Sequence, residues 1–304
     1  MPSSAKDVAK AVYRCLARGL GWLHPNLAGA LHYPPGHYHS PLLDLNAIAK
    51  SKDAFLAEDE KNWAHIDFNA PGQLAIYREL LAQVPRLAFP GQKRPGWRYY
   101  SDNDFFLLFD AFTLAGLLRK FRPGRIVEVG SGFSTAVILD TLESASMTAA
   151  LTLIEPDPRR LFSLLRETDR GNLRIESRLV QQVDLTAFAA LNAGDFLIID
   201  SSHILKTGSD VTFLLLQVMP RLKPGVIVHF HDIFYPYSYP WPWTMEGRAW
   251  NESHALRAFL IFNPAFRMIA FNSYAGVQFK ELFASAFPEL LQNTGGSLWL
   301  EKIA

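Results

Sequence analysis

Cysteine is nearly absent from this chain of 304 residues, Cys15 being the only one. A single thiol excludes an internal disulfide and a cysteine-built metal cluster, and it suits a reducing, cytoplasmic compartment. Long apolar runs are missing too. None approaches the ~18 residues of a spanning helix, and the first thirty residues hold no segment of the secretory kind, so neither membrane insertion nor secretion is expected. Charge is balanced, 30 basic residues against 29 acidic, for a net of +1. No general field therefore favours nucleic acid or an anionic membrane. What the chain has is apolar mass: 49% of its residues are hydrophobic, enough to bury a full core in one large domain with an extension.

Residues 1–100 read as an irregular, mainly helical N-terminal extension, with helical patches broken by Pro, Gly and His clusters at 33–41 and 89–96. Within it, residues 6–23 carry Val8, Val12, Leu16 and Leu20 on one helical face and Lys6, Lys10, Arg14 and Arg18 on another. That helix is expected to pack on its own domain or on a second copy, as in a homodimer. From 101 to 304 the pattern is orderly, opening with a helix over 105–120 that Pro123-Gly124 stops. Strand signals at 125–129, 151–154, 173–177, 196–200 and 226–230 alternate with helices over 159–168 and near 210–218. Strands at 266–271 and 297–301 close the chain. Short Val/Ile/Leu-rich strands separated by helices imply an α/β fold: a doubly wound parallel sheet, with the final strand antiparallel at its edge. In such a fold the strand C-termini form the site.

The stretch Glu128-Val129-Gly130-Ser131-Gly132-Phe133-Ser134-Thr135 is the most informative in the chain. A strand ending in a glycine turn that opens a helix sets backbone N–H groups against a ligand. Glu128 at the strand end can accept hydrogen bonds or pair with a cation, and Glu155 ends the next strand where a ribose would present its hydroxyls. The dinucleotide fingerprint fails here: its third glycine is Thr135, and Phe133 would crowd a phosphate. A cationic, phosphate-free cofactor fits better, and Glu128 suggests the amino-acid end of S-adenosylmethionine.

With Glu155, the run Asp195-Phe196-Leu197-Ile198-Ile199-Asp200-Ser201-Ser202-His203, the Lys223-Pro224-Gly225 turn and His231-Asp232-Ile233-Phe234, this motif resembles class I S-adenosylmethionine-dependent methyltransferases of the bacterial small-molecule type. The resemblance covers about residues 99–302. It implies a Rossmann-like seven-stranded sheet with the last strand antiparallel. It further implies that Gly130, Ser131, Gly132 and Ser134 hold the methionine part, that Glu155 binds the ribose, and that Gln182, Val183 and Asp184 border the adenine.

Asp200 ends one central strand and His231-Asp232 end its neighbour, so their side chains are expected to converge. Two carboxylates and an imidazole suit Mg²⁺ or Mn²⁺, which would acidify a substrate hydroxyl. The arrangement resembles the metal-dependent O-methyltransferases of the catechol and macrolide-sugar type, with His231 standing where an aspartate is usual. His203, just beyond Asp200, is the expected general base for transfer to a hydroxyl of a small molecule or sugar. His229 is expected to point to the opposite face and to be structural. The aromatic and proline segment after Asp232, with Tyr235, Tyr239 and Trp241, is expected to wall the substrate pocket. Two other readings stand beside this one: metal-assisted hydrolysis through His229, His231 and Asp232, and a non-catalytic binding module.

Overall fold

A computed structural model describes residues 33, 35–50, 65–83 and 89–304, together with Val12, Cys15, Leu16 and Lys52. The helix expected over 6–23 lies, those three residues aside, outside the described residues. Two compact units form, one of residues 1–59 with 240–249 and the other of residues 60–239 with 250–304. In the smaller unit the Asp44 carboxylate caps the helix Leu45–Lys50, its Oδ1 accepting from Ala47 N at 2.9 Å. A second helix there, Trp241–Met245, carries Trp241, with the Lys52 ammonium 5.0 Å over its ring.

The larger unit is built on seven strands: β1 Arg125–Val129, β2 Ala150–Ile154, β3 Arg174–Glu176, β4 Phe196–Ile199, β5 Ile227–Phe230, β6 Phe266–Phe271 and β7 Leu298–Lys302. Their order is β3-β2-β1-β4-β5-β7-β6. The pairs among β1 to β5 are parallel, while β7 runs antiparallel to both β5 and β6. The final strand is thus antiparallel as expected but inserted between β5 and β6, leaving β6 at the edge. A helical connection, with helices Asn272–Gln278 and Lys280–Ala286, returns the chain so that β7 lies antiparallel beside β6.

Alternation along each strand supplies both faces of the sheet. Ile126 and Ile198 join one buried cluster, with Phe109, Phe112 and Trp299, whereas Val127, Leu197 and Val228 join the other. Helices needed for the site are α1 Ala70–Gln83, α2 Leu108–Phe121, α3 Phe133–Ser144, α4 Arg159–Leu164 and α5 Glu252–Leu260. Tyr77 and Leu80 of α1, and Tyr99 beyond it, are fully buried in the first cluster, so these residues share the core of the sheet unit. Helix α2 ends where Arg122 turns left-handed (φ 48°), its N–H donating to Leu118 O, before Pro123. Among the described residues no helix is long and apolar enough to cross a membrane.

Candidate active site

The site is assembled at the C-terminal tips of β1, β2, β4 and β5. Gly130, immediately after β1, has φ 81°, and a Cβ there would lie 1.6 Å from the carbonyl oxygen of Asp200. Glycine alone fits on both counts. The tips are also laced by main chain, Gly130 N donating to Ile154 O (3.0 Å), Asp200 N to Val129 O (2.8 Å) and His231 N to Ile199 O (2.9 Å).

Glu155 accepts from Ser131 N at 3.1 Å and from Asp157 N at 2.8 Å, which ties the glycine turn to the tip of β2. Glu128 is fully buried and faces α3, accepting from Ser134 Oγ at 2.5 Å and from Thr135 Oγ1. Burial pushes its carboxyl up to about 7, against the pull of those two hydroxyls. Gly132 N donates to Thr135 Oγ1 at 3.1 Å. The Oγ atoms of Ser131 and Ser201 are buried with no hydrogen-bond partner. Phe133 packs against Phe105 and Tyr100, at ring-centroid distances of 5.7 and 5.2 Å, in an aromatic cluster beside the turn. Asp184 is exposed, and its Oδ1 accepts from Thr186 N at 2.8 Å, while Val183 is buried and Gln182 accepts from Leu179 N at 3.3 Å.

At the tips of β4 and β5 the expected convergence is found. Asp200, His231 and Asp232 each offer a ligand atom, all within 4.8 Å of one another. His231 Nδ1 is 3.6 Å from Asp200 Oδ1 and 3.7 Å from Asp232 Oδ1, beyond hydrogen-bond reach, and it is buried without a partner. His203 Nε2 faces the same two carboxylates, 3.6 Å from Asp200 and 3.5 Å from Asp232. Both Asp232 (φ 56°) and His203 (φ 60°) adopt left-handed backbone, a conformation that clusters at functional sites.

The charges of this cluster are interdependent. Burial opposes the ionised form of Asp200, but the nearby His231 and His203 hold it down at about 2. Burial lifts Asp232 above the usual carboxylate range, with the histidines opposing. For His203 and His231 burial acts to lower the pKa, and the surrounding carboxylates outweigh it, raising both.

Two residues that sequence reasoning missed stand behind the histidines. Glu252, the first residue of α5, places Oε2 2.8 Å from His203 Nδ1. Asp110 in α2, fully buried, lies 3.5 Å from His231 Nε2 and accepts from Asn272 Nδ2 and Ser297 N, both at 3.0 Å. For Asp110 the signal was an acidic residue inside an otherwise apolar helical segment; Glu252, at the start of a helix, carried none.

The expectation for His229 needs correction in part. A two-residue offset keeps side chains on one face of a strand, so His229 lies on the same side as His231, their rings 5.9 Å apart. It is nevertheless engaged elsewhere: Nε2 pairs with Ser297 Oγ at 2.9 Å, and the ring stacks on Trp299. Burial pushes it down to about 3, so it is a neutral core residue. Tyr239 Oη accepts from Ser253 N at 3.1 Å, and Tyr235 packs edge-on against Phe68 and Tyr274. Trp241 belongs to the smaller unit.

Residues 127–233 match the family model of a methyltransferase domain. An uncharacterized protein of Archaeoglobus fulgidus is 29% identical over 167 residues, covering 52% of this chain and 73% of its own. Among solved structures, CmcI with magnesium and SAM is 20% identical, covering 70% of this chain and 82% of its own, at a TM-score of 0.40. The SAH-bound methyltransferase PaMTH1 of Podospora anserina is 16% identical over 84% of this chain and 96% of its own, also at 0.40. The O-methyltransferase from Bacillus cereus in complex with SAH is 12% identical over 85% and 97%, at 0.38. The segment that matches the family model runs from within β1 to just beyond β5.

Proposed function

We propose that this chain is an S-adenosylmethionine-dependent methyltransferase acting on a hydroxyl oxygen of a small molecule or sugar, with His203 as general base and a divalent cation at Asp200, His231 and Asp232. The glycine corner fits the cofactor. Gly130 lets the turn close against the tip of β4, Ser131 Oγ is buried without a partner, and Glu155 stands beside it. In this reading residues 130–134 hold the methionine part, Glu155 the ribose, and the Gln182, Val183 and Asp184 segment borders the adenine. The bound cofactor supplies a sulfonium methyl group.

The donor set also fits a cation. Two carboxylates and an imidazole nitrogen, the latter buried and without a hydrogen-bond partner, make a mixed oxygen and nitrogen set of the kind that takes Mg²⁺ or Mn²⁺. Asp200, Asp232 and His231 would hold it, and its charge would favour the ionised form of a bound hydroxyl. His203 Nε2 then receives the hydroxyl proton while the acceptor oxygen bonds to the methyl carbon and the carbon–sulfur bond electrons remain on sulfur. Tyr235 and Tyr239 supply aromatic walling near the β5 tip. Orientation of oxygen and methyl provides much of the acceleration.

One observation carries this reading: His203, Asp200, His231 and Asp232 gather next to the glycine turn, with Gly130 against the Asp200 backbone. Calorimetry with S-adenosylhomocysteine and with NAD tests the cofactor, and methyl transfer to catechols and sugars with Mg²⁺ or Mn²⁺ present tests the chemistry. Binding of the nucleoside without NAD is expected. Binding of NAD alone would end the proposal. Hydrolysis through His229 finds no support, since that ring is occupied by Ser297 and Trp299.

A further inference from the structure

The two ring nitrogens of His203 meet different surroundings. Nδ1 lies 2.8 Å from Glu252 Oε2, whereas Nε2 faces Asp200 and Asp232 at distances too long for a hydrogen bond. An ionised carboxylate only accepts, so the hydrogen of the short contact belongs to Nδ1. Both side chains are buried, Glu252 to 1% exposure. Its second oxygen, Oε1, is buried with no partner, which is costly for a carboxylate that merely braces the fold.

The pair is held rigidly. The His203 carbonyl accepts from Asn251 N (3.0 Å) and Glu252 N (3.1 Å), so the first turn of α5 closes directly onto the left-handed residue after β4. Asn251 Oδ1 accepts from Leu205 N at 2.6 Å, and the Trp250 ring lies 4.5 Å from the imidazole. Glu252 therefore reaches His203 from a backbone that is itself fastened to the same loop.

We propose that Glu252 is a positioning residue for the transfer: by accepting the Nδ1 hydrogen of His203 it fixes the ring and its tautomer, and presents a bare Nε2 to the acceptor hydroxyl. The inference rests on the reading of His203 as base. A buried carboxylate on Nδ1 is the device by which a histidine base is kept in its reactive tautomer, and spoiling it leaves the base present but misdirected. The proton that leaves the hydroxyl ends on Nε2, and Glu252 balances the imidazolium that results without itself taking the proton.

The test has two arms on the full-length protein. In long-range nitrogen–proton NMR of histidine-labelled protein, at a pH where the ring is neutral, His203 is expected to be protonated on Nδ1 and bare on Nε2, its signals assigned by their loss in His203→Asn. In Glu252→Leu the Nε2-protonated form is expected to take over; should that variant not fold, Glu252→Gln replaces it and is expected to give a mixture. In the kinetic arm Glu252→Gln should lower kcat by about 10²-fold or more while acceptor KM and S-adenosylhomocysteine affinity stay within about twofold. His203→Ala alone and His203→Ala with Glu252→Gln should then be equally slow, because one residue acts through the other. An Nδ1-protonated ring that survives loss of Glu252, a wild-type ring protonated on Nε2, or losses that multiply in the double variant would overturn the inference. The expected tautomer in a protein that binds no S-adenosylhomocysteine would instead sink the methyltransferase reading and leave the dyad standing.

Discussion

Gly130 and Asp200 touch through their backbones, so that the turn proposed to seat the cofactor and the tip of β4 cannot be separated by a side chain. Gly130→Ala must therefore do two unfavourable things: enter a left-handed conformation at φ 81° and push the Asp200 main chain away. The first costs about 1 kcal/mol and the displacement more, for a total expected near 3 kcal/mol or above. Urea denaturation should show that loss. Binding of S-adenosylhomocysteine should fall with it, and a variant as stable as wild type would show that the contact is dispensable.

Glu128 ties stability to pH. Its folded carboxyl titrates at about 7 because burial disfavours its charge, against an ordinary value of 4.5. A raised folded value means a contribution that is fully present below about 4.5 and is lost as pH climbs through about 7, on the order of 3 kcal/mol for this fully buried group. Glu128→Gln keeps the shape and removes the titration. Between pH 4.5 and 8 the unfolding free energy of wild type is expected to drop relative to Glu128→Gln by that amount. Parallel curves would mean that Ser134 and Thr135 hold the carboxylate ionised throughout.

The short Val/Ile/Leu-rich strands and the turn residues made the sheet legible in the sequence, because apolar runs and the glycine turn are local properties. Helix α2, expected over 105–120, spans Leu108–Phe121, and Asp200, His231 and Asp232 meet because adjacent parallel strands end together. Placement of β7 was not legible: both β6 and β7 read as closing strands, and only packing decides which lies inside. Glu252 and Asp110 were hidden for the same reason, their partners lying 49 and 121 residues away in the chain. Phe133, expected to crowd a phosphate at the turn, packs its ring against Tyr100 and Phe105.

Asp110 anchors the far side of the same site. Its Oδ1 accepts from Asn272 and Ser297, its Oδ2 from Gly296 N at 3.4 Å, and His231 lies 3.5 Å off. Burial would raise its pKa, but His231 and Ser297 hold it below the usual carboxylate range. Asp110→Asn replaces an acceptor with an amide that must aim hydrogens at donors. A loss of about 3 kcal/mol in unfolding free energy is expected by urea denaturation at neutral pH. Because the folded value is depressed, the charge contributes above the ordinary carboxylate range and is lost as pH falls through the folded value, so the wild-type advantage over Asp110→Asn should shrink in acid.

His231 in place of a third carboxylate should decide which cation is preferred. Mg²⁺ favours oxygen donors and resists losing water, whereas Mn²⁺ accepts an imidazole nitrogen readily. The ring is also backed as metal-binding histidines commonly are, with Asp110 near Nε2 and Nδ1 turned toward Asp200 and Asp232. Mn²⁺ is thus expected to bind more tightly than Mg²⁺. A cation at one hundred times its Kd adds about 2.7 kcal/mol to stability, a rise in melting temperature that a thermal scan reads without any acceptor or turnover. His231→Ala should remove the difference between the two ions, and Asp200→Asn should weaken both. Equal shifts for Mg²⁺ and Mn²⁺ in the wild type, or a Mn²⁺ preference that outlives His231→Ala, would show that the imidazole is not a ligand and that the carboxylates act alone.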